Sequence, residues 1–238
     1  MKWVSRVLFR IAQFCARRAR GRSYSLDQTI PVRSVLALSF QHASGLLRGI
    51  FRLVALPPMM VFVGRKVVLR NRHLISIGNG CSLGDYVALN GLSRRGITLG
   101  KGVSLGPHTI IEATGVVSNM GEGCKIGDNS GFGAFSFIGA AGGVEIGSDV
   151  IGGQYVSFHS ENHHFDNIEA PIRHQGVSRK GIVIGDNCWI GAKATFLDGA
   201  RVGSGSVIAA GAVVKGEIPP RSIAAGVPAR VIANREEV

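Results

Sequence analysis

From about Leu74 the sequence repeats every six residues: an aliphatic residue, a Gly or other small residue, two variable positions, a small residue and one more variable position. The unit appears as Ile77-Gly78 with Cys81, Leu83-Gly84 with Val87, Leu99-Gly100 with Val103 and Leu105-Gly106 with Thr109. It returns as Ile126-Gly127 with Ser130, Phe132-Gly133 with Ser136 and Ile146-Gly147 with Val150. A last block runs almost unbroken through Ile184-Gly185 with Cys188, Ile190-Gly191 with Ala194, Val202-Gly203 with Ser206 and Ile208-Ala209 with Ala212.

Six residues suit one short strand plus one turn, so three units make a triangular coil whose aliphatic residues stack inward. The small residue four positions on also fits inside, near a corner. No single repeat can bury its apolar side alone, and stacked coils bury a continuous core. The 34 glycines, about twice the average share, fit a chain of many turns and few helices. Cys15, Cys81, Cys124 and Cys188 form no CxxC pair and read as free thiols of a reducing compartment. Cys81 and Cys188 occupy the small inward position, and Cys124 does so if Met120 opens a further repeat, so these three read as small hydrophobes.

The formal charge of +12 is unevenly placed: residues 1–73 hold 14 Lys/Arg against one acid, Asp27, while residues 74–238 hold 13 against 14. A basic segment attracts nucleic acid or an anionic membrane. No RNA-binding aromatic motif or zinc-finger spacing is present, so the expectation is membrane or partner contact and no nucleic acid. Val4, Val7, Leu8, Ile11 and Phe14 recur at helical spacing among arginines, which fits a basic amphipathic helix on a membrane or equally a helix packed on protein. Arg6 and Arg10 interrupt the apolar run, so it does not read as a signal peptide. Residues 21–33 read as a linker. A second apolar segment, Val35–Val63, contains Arg48 and Arg52, and Pro57-Pro58 within it would break a helix; its uncharged stretch, Ser34 to Leu47, is too short to span a bilayer, and an interfacial or packed helix is expected.

Ile146 and Ile184 both open coils but lie 38 residues apart, where a three-unit coil needs 18. About 20 residues, near 160–179, must therefore leave the helix, and a long insertion on a rigid scaffold is a place for function. It begins with Phe158-His159-Ser160-Glu161-Asn162-His163-His164-Phe165-Asp166-Asn167. A neutral imidazole there can take a proton from an attacking hydroxyl, which contributes about 10² to 10⁴ in rate. His159, His163 and His164 compete for that role.

The repeats over about 64–232 resemble the hexapeptide-repeat acyltransferases, most specifically in Lys180–Gly191, Ala209–Val214 and Ala225-Gly226-Val227-Pro228-Ala229-Arg230. The blocks are similar to the sugar O-acetyltransferases, closest to the branch acting on bacterial exopolysaccharides, capsules and O-antigens. The resemblance implies an all-β fold, a left-handed parallel β-helix, here with a basic, helical N-terminal extension (1–63), a domain over 64–232 and a tail at 233–238. The left hand belongs to the resemblance alone, since right-handed crossovers are the rule.

The resemblance implies acetyl-CoA as acyl donor, a sugar or glycan acceptor and a homotrimer with the donor between subunits. In the family the catalytic His lies 17 positions after the Ile that opens its coil and precedes an apolar residue and an acid. Counting from Ile146 gives His163, in His163-His164-Phe165-Asp166. His163 is thus the expected general base, with His164 or His159 as alternatives. Asp166 or Glu161 orients the ring, contacts acceptor hydroxyls, or is a solvated loop acid. His159, Glu161 and Asn162 are expected at the acceptor. Ala192 and Ala210 are carried over as contacts to the pantetheine arm, and Lys215 and Arg230 to the phosphates or adenine. Trp189 covers the donor thiol or acceptor, or else packs at a coil edge. Lys215-Gly216 replaces the family's Thr-Lys, and residues 131–135 offer no counterpart of the acceptor Asn of maltose-type enzymes. No resident metal is expected. Two rivals stand beside this reading: a zinc enzyme resembling the gamma-class carbonic anhydrases, and a non-enzymatic scaffold for polysaccharide assembly. The expected location is the cytoplasm, peripheral to the inner membrane.

Overall fold

In the computed structural model, which describes residues 27, 29–53 and 60–237, the repeats coil into a left-handed parallel β-helix. The first face has nine strands: Phe62–Val63, Ser82–Leu83, Ser104–Leu105, Gly131–Phe132, Ile151–Gly152, Trp189–Ile190, Val207–Ile208 and a closing hairpin, Ser222–Gly226 with Ala229–Asn234. The second face stacks Val68–Arg70, Ala88–Asn90, Ile110–Glu112, Phe137–Gly139, Ser157–His159, Thr195–Leu197 and Val213–Val214. The third stacks Ile75–Ile77, Ile97–Leu99, Cys124–Ile126, Val144–Ile146, Ile182–Ile184, Arg201–Val202 and Glu217–Ile218. All pairings along the faces are parallel except the closing hairpin.

The inward positions are those of the six-residue period. Leu83, Leu99, Leu105, Ile126, Ile184 and Ile190 are buried, and so are the small residues Cys81, Val103, Thr109, Ser130, Cys188 and Ala212. Where the small residue is polar, the wall satisfies it: Ser130 Oγ donates to Gly147 O at 2.7 Å and accepts from Val150 N at 3.0 Å. The glycine after the aliphatic residue is required by the coil spacing. A Cβ at Gly147 would stand 2.3 Å from Asp186 Oδ1 and 2.7 Å from Asp186 N, one coil away.

The Met120 expectation is corrected. Met120 lies in a short excursion after Glu112, and Cys124 is the first residue of a third-face strand, in register with Ile97 and Val144. Cys124 is therefore an inward strand residue with no repeat before it. The domain boundary also shifts. Phe62 already pairs with Ser82, and Val61 and Val63 already face the core, so the first coil begins before residue 64; the closing hairpin runs on to Asn234.

Helix α1, Val32–Leu53, lies across the first coil. Its inner side approaches through small residues: a Cβ at Gly49 would meet Val61 O at 2.1 Å, so a larger residue there would push the helix away. Arg48 Nε donates to Val63 O at 2.8 Å. Arg33, expected in a linker, is inside α1. No described helix is long and apolar enough to cross a membrane. The helix expected from Met1 lies outside the described residues.

At the corner between the first and second faces, Tyr86, His108, Phe135 and Tyr155 hold φ near +60°. Their rings stack at 4.7, 4.8 and 5.2 Å, and Lys66 Nζ lies 5.4 Å from the centre of the Tyr86 ring. Left-handed backbone costs a non-glycine residue on the order of 1 kcal/mol, and each stacked pair returns a similar amount.

Candidate active site

The expected excursion leaves the β-helix after Ser160 and returns at Lys180. At the exit, Ser160 Oγ donates to Gly139 O at 2.8 Å and accepts from Gly142 N at 2.9 Å. At the return, the buried Asp198 carboxylate accepts from Lys180 N at 2.8 Å and Gly181 N at 2.9 Å. Between these anchors a two-stranded ribbon forms, Asn162–His163 antiparallel to Val177–Ser178, with His163 opposite Val177.

The neck of the ribbon is fastened by Arg179. Its Nε and Nη2 each lie 2.6 Å from Glu161 Oε2. Its Nη1 donates to Asn119 Oδ1 at 3.0 Å and Met120 O at 3.2 Å, and Nη2 to Asn119 O at 3.1 Å. One planar guanidinium thus joins the ribbon to the excursion after Glu112, a fork geometry that Lys cannot reproduce. At the tip, Gln175 Nε2 donates to Asn167 O and Ala170 O, both at 2.8 Å, and its Oε1 accepts from Asn167 N at 3.1 Å.

The ribbon overhangs the end of the second face and encloses a cleft of about 500 Å³. The excursion contributes Asn162, His163, His164, Phe165, Asp166 and Ser178 to the lining, and the β-helix contributes Leu197, Asp198 and Lys215. The cleft therefore holds two imidazoles, an amide, two carboxylates and the exposed Lys215 ammonium. Such a set can accept a proton from a hydroxyl or amine and neutralise an anionic group nearby.

The expected residues do not all converge. His163, His164, Asp166, Asn162 and Lys215 meet in the cleft. His159 lies just outside it, in register with Leu197 one coil away, its ring 5.6 Å from that of Phe137. Glu161 is taken up by Arg179, so it serves the neck and does not orient a histidine ring. Among the described residues Asp166 makes no ion pair with His163 either. Ala192 and Ala210 stack one coil apart at the corner of the first and second faces, where Gly211 N donates to Ala192 O at 2.9 Å. Trp189 is not packed at a coil edge: it points outward from the first face, 58% exposed, beside Ile151. Arg230 is exposed on the closing hairpin, beside its cis Val227-Pro228 bond. Among the described residues no three His, Cys, Asp or Glu side chains within this one chain are placed to hold a metal.

Arg179, Asp198 and Gln175 are the positions missed by reading the sequence. Arg179 has no distinguishing neighbour pattern, and its partner Asn119 is 60 residues away.

Fold and cleft define a hexapeptide-repeat β-helix with a histidine-bearing excursion. Residues 181–216 match the family described as bacterial transferase hexapeptide (six repeats). Over 170 residues the chain is 33% identical to a Mycobacterium tuberculosis protein named "Probable acetyltransferase", covering 71% of this chain and 54% of that protein. The chain therefore spans about half that relative's length. A 61-residue stretch is 44% identical to a Staphylococcus aureus 2,3,4,5-tetrahydropyridine-2,6-dicarboxylate N-acetyltransferase, covering 26% of each protein. Among solved structures, the hexapeptide-repeat acetyltransferase of Vibrio cholerae complexed with acetyl coenzyme A is 18% identical at a TM-score of 0.46, covering 90% of this chain and 94% of that one. A polysialic-acid-specific acetyltransferase is 20% identical at 0.43, covering 72% and 84%. At those scores neither structure bears on function.

Proposed function

We propose that this protein is an acyltransferase that moves an acetyl group from acetyl-CoA to a hydroxyl of a sugar, in the synthesis of a bacterial exopolysaccharide, capsule or O-antigen. The observation that carries the reading is that His163, on a ribbon anchored to the β-helix, lines the same cleft as Lys215. The matched transferase repeats and the relative named an acetyltransferase support the donor chemistry.

In this mechanism neutral His163 takes the acceptor O–H proton as the oxygen attacks the thioester carbonyl. The carbon–sulfur bond then breaks, and the departing thiolate recovers the proton from the imidazolium. Holding base and hydroxyl together supplies the orientation part of the rate. Lys215, and further along Ala192, Ala210, Trp189 and Arg230, are the proposed donor contacts; Asn162, His159 and Asp166 face the acceptor. A homotrimer belongs to the proposal. The ribbon tip carries Phe165, Ile168 and Ile172 at 68%, 91% and 55% exposure, apolar surface that a second copy would cover. The donor ties the reaction to the cytoplasm, where acetyl-CoA is made.

The test is thiol release from acetyl-CoA with a panel of sugars, bacterial glycans and amino sugars, comparing the native protein with His163→Ala. A loss of roughly 100-fold or more in a folded variant is expected. Full activity in the variant would move the base to His164 or His159. Release with amino sugars alone would replace the hydroxyl with an amine.

A further inference from the structure

Helix α1 has two apolar sides. The inner side, with Val35, Gly45 and Gly49 buried, rests on Val61 and Val63 of the first coil. On the opposite side Leu36, Phe40, Ala43, Leu47 and Ile50 follow one another at steps of four and three residues, with Phe51 alongside, and form one stripe along the helix. Among the described residues nothing covers this stripe: Phe40 is 76% and Phe51 80% exposed. A stripe of large apolar side chains of this extent marks an interaction surface.

We infer that this stripe docks the protein on an anionic membrane surface, with the β-helix standing on α1. The charges select the occupant. α1 contains Arg33, Arg48 and Arg52 and no acid, and residues 1–26 add seven Lys/Arg, again with no acid. Apolar residues flanked by cations alone match the boundary between acyl chains and anionic headgroups. Each cation near such a surface adds to the attraction, within a screening length of it. A second α1 fits less well. The four-three spacing would admit helix pairing, but Arg33 falls in line with the stripe, and no carboxylate on the partner helix would neutralise it.

The docking fixes where the cleft sits. The second-face strand that ends in His159 is four strand spacings from the first strand of that face, about 19 Å along the β-helix. With the helix diameter added, the His163 cleft stands about 30 Å from the lipid, open to a chain that projects from the surface.

The experiment uses the full chain with vesicles of equal parts phosphatidylcholine and phosphatidylglycerol, against vesicles of phosphatidylcholine alone. Cosedimentation with the anionic vesicles is expected, reduced at least tenfold in ~1 M NaCl, where the screening length falls to about 3 Å. Phe40→Ser/Phe51→Ser is expected to lower the partition coefficient at least tenfold while leaving thermal unfolding and oligomeric mass unchanged, because both side chains are exposed. Absence of binding by the native protein would overturn the inference. Undiminished binding by the double variant would also overturn it, since residues 1–26 would then suffice. A drop in oligomeric mass in the double variant would reassign the stripe to contact between copies.

Discussion

Arg179 holds the mouth of the proposed active site, and replacing it with Ala removes its hydrogen bonds to Glu161, Asn119 and Met120. Breaking a fully buried ion pair from one side costs about 3–5 kcal/mol, largely because the partner charge is stranded. Here the Arg179 and Glu161 side chains are 15% and 24% exposed, so water reaches the stranded carboxylate and the cost falls to about 2–3 kcal/mol. The loss is local, because the pair joins two excursions and no coil of the core. It should raise the population of the open ribbon about 30- to 150-fold. Amide exchange over residues 160–179 should accelerate by a comparable factor, including the His164 amide that donates to Gly176 O at 3.1 Å. A base displaced by about 1 Å loses on the order of 100-fold in turnover, so thiol release should fall with little change in the main unfolding transition. Arg179→Lys keeps the charge but cannot reach Glu161 and Asn119 together, and should be intermediate. Unchanged exchange and unchanged thiol release in Arg179→Ala would refute the argument that this contact positions His163.

Four further outcomes are expected. Gly142→Ala would place a Cβ 1.9 Å from Ser160 O at the ribbon exit; the variant should lose about 3 kcal/mol in denaturant unfolding, and a native-like midpoint would show that the exit is not tightly packed. Burial pushes the Cys124 thiol up to about 12, so the folded state retains a proton that the unfolded chain releases near pH 8.5–9. Stability should then fall with rising pH from about 9 towards 12, by up to ~1.4 kcal/mol per unit from this group, and Cys124→Ala should flatten the slope of urea midpoint against pH. Cys81 and Cys188, also raised chiefly by burial, should resist alkylation in the native protein along with Cys124; rapid labelling of any of the three would contradict an inward placement. Lys215→Ala should raise KM for acetyl-CoA at least tenfold without altering thermal unfolding, whereas an effect on kcat alone would move Lys215 from donor binding to the reaction itself.

The coil was legible because its period is local. Each repeat carries its own inward aliphatic residue, its own close-approach glycine and its own small corner residue, so reading six residues at a time recovers the wall. The excursion was legible by subtraction, since Ile146 and Ile184 stack in register and the 38-residue step from one to the other overfills one coil. Its expected base comes from the family resemblance and the count from Ile146, and that histidine lines the cleft. Cys124 misled because a strand after an excursion needs no preceding repeat, so the periodic reading supplied one at Met120. What the sequence left hidden depends on residues far apart in the chain. In the sequence Glu161 reads as an acceptor contact, a ring-orienting acid or a solvated loop acid; its pairing with Arg179, and the hold of Asn119 and Met120 on Arg179, arise only in the fold. Similarly, α1 reads as amphipathic, but only the packing of Gly45 and Gly49 on the first coil decides which side is covered and leaves Phe40 and Phe51 outward. By itself the sequence determined the repeating wall and the length of its interruption, because both are set by neighbours within one coil. The tertiary structure alone decided what anchors the ribbon and which surfaces stay open, because those depend on contacts between coils.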